Sequence, residues 1–236
     1  MDSWQIRTGR WLFRHRSVVP LPLIGLLLLC FRPGRLHAAQ AVVTTAGLLL
    51  SLAGEAIRIR AVGFSSAGTS GRESFFKAAG LNTTGPYSIT RNPLYSGNLL
   101  IFSGLLAVYS NPAAWLIGVL FLAVHYHFII LAEEHFLRET HGDPYLAYCL
   151  RIRRWVPRFS TLQSPGRPFN LKKVIFKEND SCFNLAVFSL IILAYREKFF
   201  GGTIQNRTAY LVIFLLLAAM YIGIKVVKKR QHGAGS

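Results

Sequence analysis

The sequence predicts an all-α fold: a polytopic membrane helical bundle of about six transmembrane helices, with both termini cytoplasmic and a single integral membrane domain over residues 1–236. Three observations support this prediction. Apolar residues make up 52% of the chain, charged residues make up only 16%, and the net charge is +17. A disordered basic tail would lack large apolar residues, and the basic residues here lie between long uncharged stretches. We therefore expect the lipid bilayer as a partner and no nucleic-acid partner.

Six apolar stretches are the candidate spans. They cover residues 18–31, 39–57, 97–110, 112–132, 183–195 and 208–227. A helix needs about 20 residues to cross a hydrocarbon layer of about 30 Å, so the first and fifth stretches are short and a five-span arrangement stays open. The first stretch also resembles a secretory signal. Arg32 and Arg35 lie between this stretch and the cleavage position, which favours a retained span.

The basic residues predict the orientation. With six spans, 22 of the 27 Lys and Arg residues lie on one side of the membrane, and positive residues concentrate on the cytoplasmic side. This places residues 58–93 and 133–180 in the cytoplasm as two long segments. Because these segments hold nearly all the remaining polar residues, we expect an active site that faces the cytoplasm.

Glu55 and Arg58 lie at the cytoplasmic end of the second stretch. Their spacing of three places them on one helix face, where they are expected to form an ion pair. An acidic residue at the end of a span is costly without a partner, so both residues are candidates for substrate binding. A structural pair that only closes the helix end is an equally open interpretation.

A glycine-rich segment follows, from Gly68 to Tyr87. Glycine lets the backbone approach a ligand closely, and Arg72 offers a guanidinium group that can bind a carboxylate at two points. Arg72, Leu81 and Asn82 are therefore candidate ligand-binding residues. Without its neighbours, this segment would indicate only a loop.

The third apolar stretch is preceded by a polar cluster at the membrane surface. Pro93 suits the first turn of a helix, which places Asn92 at or near the N-cap. Arg91 precedes Asn92, and Tyr95 follows in the first turn. A helix N-terminus beside an arginine suits a carboxylate or a phosphate.

Two adjacent acidic residues, Glu133 and Glu134, follow the fourth apolar stretch. Their mutual repulsion and their burial require a nearby cation. This cation is either Arg138, four residues after Glu134, or a bound cationic ligand. Tyr145 and Tyr148, three residues apart, are expected to form an aromatic wall on one helix face.

Only residues 110–112 separate the third and fourth stretches, which predicts a tight antiparallel hairpin. Both ends of this hairpin are then cytoplasmic. Asn92 and Tyr95 at its start should lie close to Glu133 and Glu134 at its end, so that two distant parts of the sequence form one pocket.

The ordered motifs of this region resemble those of the isoprenylcysteine carboxyl methyltransferase and phospholipid methyltransferase superfamily. The Arg-His-Pro-x-Tyr-x-Gly signature of that superfamily is similar to Arg91-Asn92-Pro93-Leu94-Tyr95-Ser96-Gly97. The other similar motifs are Gly54-Glu55-x-x-Arg58, Gly85-Pro86-Tyr87, Glu133-Glu134-x-x-Leu137 with Gly142, Tyr145 and Tyr148, and Trp155-Val156-Pro157. The resemblance covers residues 50–160, the methyltransferase motif core.

The resemblance implies S-adenosyl-L-methionine as the methyl donor and a lipophilic acceptor, such as a prenylcysteine-like or lipid molecule with a carboxylate, an amine or a thiol. The cofactor pocket implied by the motifs and their neighbours contains Leu81, Asn82, Tyr87, Asn92, Pro93, Leu94, Tyr95, Glu133, Glu134, Tyr145 and Tyr148. Glu133 and tyrosine rings suit a positive sulfonium centre. Arg91 or Arg72 is the candidate for the cofactor carboxylate.

Two positions depart from the family pattern. Asn92 replaces the family histidine and cannot titrate, so it cannot act as a general base. His125 and His127 occupy the stretch where related enzymes carry a basic residue for the substrate. They either bind the acceptor or take a proton from it, or they form interhelical hydrogen bonds. The catalytic candidates are Glu133, Arg91 and His127.

The remaining residues, 161–236, lie outside the resemblance. They are expected to form an amphipathic connector over 169–180 and two further spans, which shield the acceptor or mediate self-association. Two alternative functions stay open: a membrane reductase of the sterol type that uses NADPH, and a non-catalytic lipid-binding protein, which the loss of the family histidine at Asn92 would favour. The pattern of the three cysteines indicates no metal site, and the oligomeric state stays open.

Overall fold

The computed structural model describes residues 3–34, 38–66 and 80–233, and these residues form helices, turns and loops without any strand. The helices are α1 (Trp4–Arg14), α2 (Pro20–Cys30), α3 (Ala38–Phe64), α4 (Pro93–Tyr109), α5 (Pro112–His141), α6 (Asp143–Arg151), α7 (Leu171–Gly201) and α8 (Arg207–Gly233). Two single-turn 3-10 helices, Gly85–Ser88 and Phe159–Thr161, lie in the connections. The all-α fold predicted from the sequence is therefore confirmed.

Three helices in the described part of the chain are long and apolar enough to cross a membrane. They contain the second, fourth and sixth predicted stretches: Gln40–Phe64 in α3, Pro112–His141, which is α5, and Arg207–Gln231 in α8. Two shorter apolar helices, α2 and α4, contain the first and third stretches. The number of spans and the side of the termini stay predictions.

Among the described helices, α3 and α4 share the most extensive contact, and glycines line it. A Cβ atom added to Gly54 would lie 2.6 Å from the carbonyl oxygen of Gly97, and one added to Gly104 would lie 2.3 Å from that of Gly47. Between these points the Ser51 hydroxyl donates to the carbonyl oxygen of Ile101 at 2.9 Å. Small residues allow two helix backbones to approach in this way inside a membrane.

The predicted hairpin between α4 and α5 is confirmed. Helix α4 ends at Tyr109, and Ser110 adopts a left-handed conformation with φ of 61°. The Asn111 side chain caps α5 by accepting from the backbone N–H of Ala114 at 3.0 Å, and Pro112 is the first helical residue. Helix α5 therefore runs back toward the end of the bundle where α4 begins.

Helix α1 is an element that the sequence analysis did not predict, because it counted the arginines there only as topology signals. Ile6, Gly9 and Phe13 are buried on one face, and the helix packs against α5. A Cβ atom on Gly9 would lie 2.1 Å from the carbonyl oxygen of Phe128. The spacing of these three residues was the available signal for an amphipathic helix.

The predicted connector over 169–180 is not separate from the fifth stretch, and that part of the prediction is wrong. Both belong to α7, a single helix of 31 residues that begins where the Asn170 side chain accepts from the backbone N–H of Lys173 at 2.8 Å. The polar residues Glu178 and Asn179 are buried. They are part of a packed interface and not of a surface connector.

Arg196, near the other end of α7, is completely buried. Its guanidinium group donates to the carbonyl oxygen of Gly34 at 3.0 Å, to that of Val108 at 2.6 Å and to the hydroxyl of Thr44 at 2.7 Å. One side chain therefore joins the loop after α2, the first turns of α3 and the end of α4.

Replacing Arg196 with Met is expected to destabilise the protein by about 2 kcal/mol, because buried carbonyl groups lose their donor. The midpoint of thermal unfolding in detergent measures this effect. Lys198→Met, two residues away at an exposed position, is the control and should leave the midpoint unchanged. Equal midpoints for both variants would contradict a structural role for Arg196.

Candidate functional site

A cavity of about 960 Å³ extends along α4 and α5. Its polar part surrounds the first turn of α4 and the last turns of α5. Its apolar part continues between α2, α4, α5 and α7, where the wall is formed by side chains such as Leu27, Leu105, Leu106, Phe121 and Ile192. The cavity therefore joins a polar end to an apolar interior.

Most of the predicted cofactor residues line this cavity. They are Leu81, Asn82, Tyr87, Arg91, Asn92, Pro93, Leu94, Tyr95, Glu133, Tyr145 and Tyr148. They come from the loop before α4, from α4 itself, and from α5 and α6. The hairpin brings these separate segments together, as predicted.

Glu134 is the centre of a buried ion-pair network beside the cavity. Its carboxylate accepts from Arg91 Nη2 at 3.2 Å, and from Arg154 Nε at 3.2 Å and Nη2 at 2.8 Å. The Asn92 amide donates to the same carboxylate at 3.3 Å. The cations beside Glu134 come from the loop before α4 and the segment after α6, and not from Arg138, one of the two sources considered from the sequence. The hydrogen bonds to Glu134 raise the pKa of Arg154, which stays charged.

Glu133 has a different environment from that of its neighbour, because successive residues on a helix point about 100° apart. It lines the cavity, and its carboxylate accepts from the Tyr95 hydroxyl at 2.7 Å. The Tyr95 ring lies 5.6 Å from that of Tyr126, which also lines the cavity. One acid of the pair therefore stabilises the fold, and the other faces the space for a ligand.

Arg91 lines the cavity, and not all of its N–H groups form hydrogen bonds. One terminal nitrogen donates to the carbonyl oxygen of Cys149 at 3.2 Å, and the other donates to Glu134. Its Nε atom is buried without a hydrogen-bond partner among the residues that the structure describes. Buried donors are nearly always paired in folded proteins, so this nitrogen is an exception in the described structure.

Tyr145 and Tyr148 form the predicted aromatic wall, with ring centroids 6.1 Å apart. The Tyr148 hydroxyl donates to the carbonyl oxygen of Tyr87 at 2.7 Å and so fixes the loop before α4. Burial raises the pKa of Tyr87, Tyr145 and Tyr148 well above its usual value. All three hydroxyls therefore stay protonated at neutral pH.

The prediction that Glu55 and Arg58 form an ion pair with each other is wrong. Arg58 donates to Glu178 from Nε at 3.0 Å and from Nη2 at 2.7 Å, whereas Glu55 accepts from Ser181 at 2.6 Å and from the Cys182 thiol at 3.2 Å. Helix α7 packs across this face of α3 and supplies closer partners to both residues. Arg58 lines the cavity, whereas Glu55 is not part of its wall.

Neither predicted histidine lines the cavity. His125 is buried in α5 with its ring stacked on Phe121, at a centroid distance of 6.0 Å. Both of its ring nitrogens lack partners among the described residues, so the expected interhelical hydrogen bond is absent there. His127 is exposed on the outer side of α5. We therefore do not include either histidine in the proposed site, and Arg72 lies outside the described residues.

Three residues of the site were missed in the sequence analysis: Asn98, Arg154 and Glu178. Asn98 accepts from Arg58 Nη1 at 2.5 Å, and an amide one turn into an apolar stretch was an available signal. Arg154 directly precedes the Trp155-Val156-Pro157 motif. Nothing in the local sequence distinguished Glu178 from its polar neighbours. In residues 3–34, 38–66 and 80–233, no group of three or more His, Cys, Asp or Glu side chains is placed to hold a metal ion.

Comparisons with known proteins show what the chain is similar to. The phospholipid methyltransferase family model matches residues 42–144. The chain is 36% identical over 80 residues to the cobalt-zinc-cadmium resistance protein CzcN of Cupriavidus metallidurans, which covers 34% of this chain and 37% of that protein. It is 28% identical over 156 residues to the nickel-cobalt-cadmium resistance protein NccN of Alcaligenes xylosoxydans xylosoxydans, which covers 65% of this chain and 70% of that protein.

A plant protein is also similar. The chain is 35% identical over 80 residues to protein-S-isoprenylcysteine O-methyltransferase B of Arabidopsis thaliana, and the match covers 33% of this chain and 39% of that protein. The matches to CzcN and to the plant enzyme thus span little more than a third of those relatives. No solved structure matches the chain.

Proposed function

We propose, from the premise that this chain belongs to the superfamily of phospholipid and isoprenylcysteine methyltransferases, that it transfers a methyl group from S-adenosyl-L-methionine to a lipophilic acceptor at the cytoplasmic face of a membrane. The observation that carries this proposal is the contact between Tyr95 and Glu133 in the wall of the cavity that Arg91 also lines.

The residues of the polar end fit the cofactor. Glu133 and the tyrosine rings suit a positive sulfonium centre, because a carboxylate and the face of an aromatic ring both attract a cation. The guanidinium group of Arg91, which lines the cavity, suits the carboxylate of the amino-acid part. When bound, S-adenosyl-L-methionine would supply an activated methyl group on a cationic sulfur. Tyr145, Tyr148 and Leu81 would pack beside it and exclude water.

The reaction proposed here is direct displacement at the methyl carbon, in which positioning is the main contribution of the protein. Asn92 is engaged with Glu134 and has no proton to exchange, and no histidine among the described residues lines the cavity. A carboxylate, a thiolate or a free amine needs little help from a base. The protein would therefore act by aligning the acceptor with the methyl carbon and the sulfur atom.

The acceptor is lipophilic in this proposal because the cavity continues into the apolar interior. Side chains from α2, α4, α5 and α7 form that part of the wall, and an acyl or prenyl chain would bury its apolar surface there at about 25 cal/mol per Å². The reacting group would then lie at the polar end, close to Glu133 and Tyr95.

Titration of the purified protein with S-adenosylhomocysteine and with NADPH tests the proposal against both alternatives. We expect saturable binding of S-adenosylhomocysteine alone. Binding of NADPH alone would favour a reductase, and binding of neither would favour a non-catalytic lipid-binding protein. Incubation of the protein with labelled S-adenosyl-L-methionine and candidate lipids, prenylcysteines and thiols then identifies the acceptor.

Replacing Tyr95 with Phe is expected to weaken the binding of S-adenosylhomocysteine about tenfold. The ring remains, but the hydrogen bond to the Glu133 carboxylate is lost, and such a bond contributes about 1.5–3 kcal/mol. Isothermal titration measures the change. Tyr210→Phe is a matched control, because the Tyr210 hydroxyl donates to Glu197 at 2.8 Å far from the cavity. An unchanged affinity in Tyr95→Phe, or an equal loss in both variants, would contradict the pocket described above.

A further inference from the structure

Helix α7 lies outside the segment that matches the family model, yet it forms part of the cavity wall. Residues 42–144 match the model, whereas α7 begins at Leu171. Asp180, Ser181, Asn184 and Leu185 all line the cavity. A helix from the C-terminal part of the chain is therefore in a position to affect the acceptor.

The Arg58 side chain reaches the cavity by crossing a glycine of α4. A Cβ atom on Gly97 would lie 2.6 Å from Arg58 Cγ, so the path of this side chain requires glycine there. Beyond Gly97, the guanidinium group is held between Asn98 of α4 and Glu178 of α7. Arg58 is thus a fixed cation and not a flexible surface charge.

The contacts with Glu178 and Asn98 leave part of the guanidinium group available. Arg58 has five N–H hydrogens, and three are used: Nε and Nη2 donate to Glu178, and Nη1 donates to Asn98. One hydrogen on each terminal nitrogen is left. The side chain of Glu178 is 2% exposed and that of Arg58 is 13% exposed, so the acid is enclosed while the guanidinium group borders the cavity.

Two parallel N–H groups on a planar guanidinium match the oxygens of a carboxylate or a phosphate. Orientation matters for this contact, because a guanidinium group that is already fixed loses less rotamer entropy when it binds. The two hydrogen bonds from Glu178 provide that fixation. Since Glu178 is enclosed, it would act on an acceptor through the side chains that it contacts, and Arg58 is one that borders the cavity.

We infer that Glu178 of α7 is a positioning residue for the acceptor: it orients Arg58 so that the two remaining N–H groups bind an oxyanion at the polar end of the acceptor. This inference rests on the proposed function and extends it, since it assigns a role in substrate binding to the C-terminal part of the chain. The oxyanion is either the carboxylate of a prenylcysteine or the phosphate of a phospholipid.

The test uses two probes, N-acetyl-S-farnesylcysteine for the carboxylate and vesicles of phosphatidylethanolamine for the phosphate. Glu178→Gln is expected to raise the KM for the methylated probe about tenfold. The kcat and the affinity for S-adenosylhomocysteine should stay nearly unchanged. Arg58→Lys should raise the same KM. The double variant should be no worse than Arg58→Lys, because Glu178 acts through Arg58.

Two further variants serve as controls, one for the loss of an acid from α7 and one for a failure to fold. Glu197→Gln removes an acid at the other end of α7 and is expected to change nothing. If Glu178→Gln does not fold, as judged by S-adenosylhomocysteine binding, Glu178→Asp keeps the charge with a shorter reach and should raise KM alone. An unchanged KM in a folded Glu178 variant, or additive effects in the double variant, would overturn the positioning role while leaving the proposed methyl transfer intact.

The outcomes for the parent protein separate the two proposals. If the parent binds S-adenosylhomocysteine but neither probe, the oxyanion assignment is overturned and the methyltransferase assignment stands. If the parent does not bind S-adenosylhomocysteine, the proposed function itself is overturned, and the inference that rests on it is overturned with it.

Discussion

Replacing Glu134 with Ala is expected to destabilise the protein by about 3–5 kcal/mol, the cost of leaving buried charges without their partner. Glu134 is the acid to which both Arg91 and Arg154 donate. Its removal leaves two guanidinium groups close together without the buried carboxylate that they share. The loop before α4 and the segment after α6 would then separate.

Unfolding of the detergent-solubilised protein, followed by circular dichroism during heating, measures this effect. Glu139→Ala removes an acid from the same helix, where the side chain is 60% exposed and its carboxylate lies 3.3 Å from His135 Nδ1. This control should stay within about 0.5 kcal/mol of the parent. Glu133→Gln should also stay close to the parent in stability while it lowers the affinity for S-adenosyl-L-methionine, whose sulfonium is the positive centre. If Glu133→Gln and Glu134→Ala behaved alike, the division of roles between these neighbours would be wrong.

The parts of the cavity that depend on short, local sequence patterns could be predicted. Pro93 and the three-residue connection at 110–112 define the hairpin, because a proline at the first helical position and a connection of that length allow few alternatives. The contact between Tyr95 and Glu133 then follows from the two helix ends lying side by side. Asn92 shows the limit of such reasoning. It is the N-cap residue of α4 as predicted, but its side chain makes no cap hydrogen bond and donates to Glu134 instead.

The contacts that could not be predicted depend on packing between distant parts of the chain. Arg58 and Glu178 are 120 residues apart, and the spacing within α3 favoured Glu55 as the partner. The rotation of α7 about its own axis decides which of its polar residues face α3, and no periodic apolar pattern over 171–182 indicates that rotation. His125 is a related case: it shares a helix with the site but lies on a face that the cavity does not reach.

Replacing Gly54 with Leu is also expected to have a large effect, because it prevents the contact between α3 and α4. The first atom of any side chain would lie 2.6 Å from the carbonyl oxygen of Gly97 and 2.9 Å from the backbone nitrogen of Ile101. Both are backbone atoms that cannot move without shifting α4. We expect a loss of about 3 kcal/mol or more for Leu, and a smaller loss for Ala.

The same change should abolish S-adenosylhomocysteine binding, because Arg91, Asn92 and Tyr95 lie at the start of α4 and move with it. Gly223→Leu is the matched control: it lies in the apolar helix α8, where an added Cβ atom would meet nothing within 4 Å. The melting midpoint and the fraction of protein that binds S-adenosylhomocysteine are measured for both variants. Because both substitutions add the same apolar side chain to an apolar helix, any difference between them reports the space between α3 and α4. If Gly54→Leu melted and bound like Gly223→Leu, the close approach of these helices, and with it the position of the α4 N-terminus in the cavity, would be wrong.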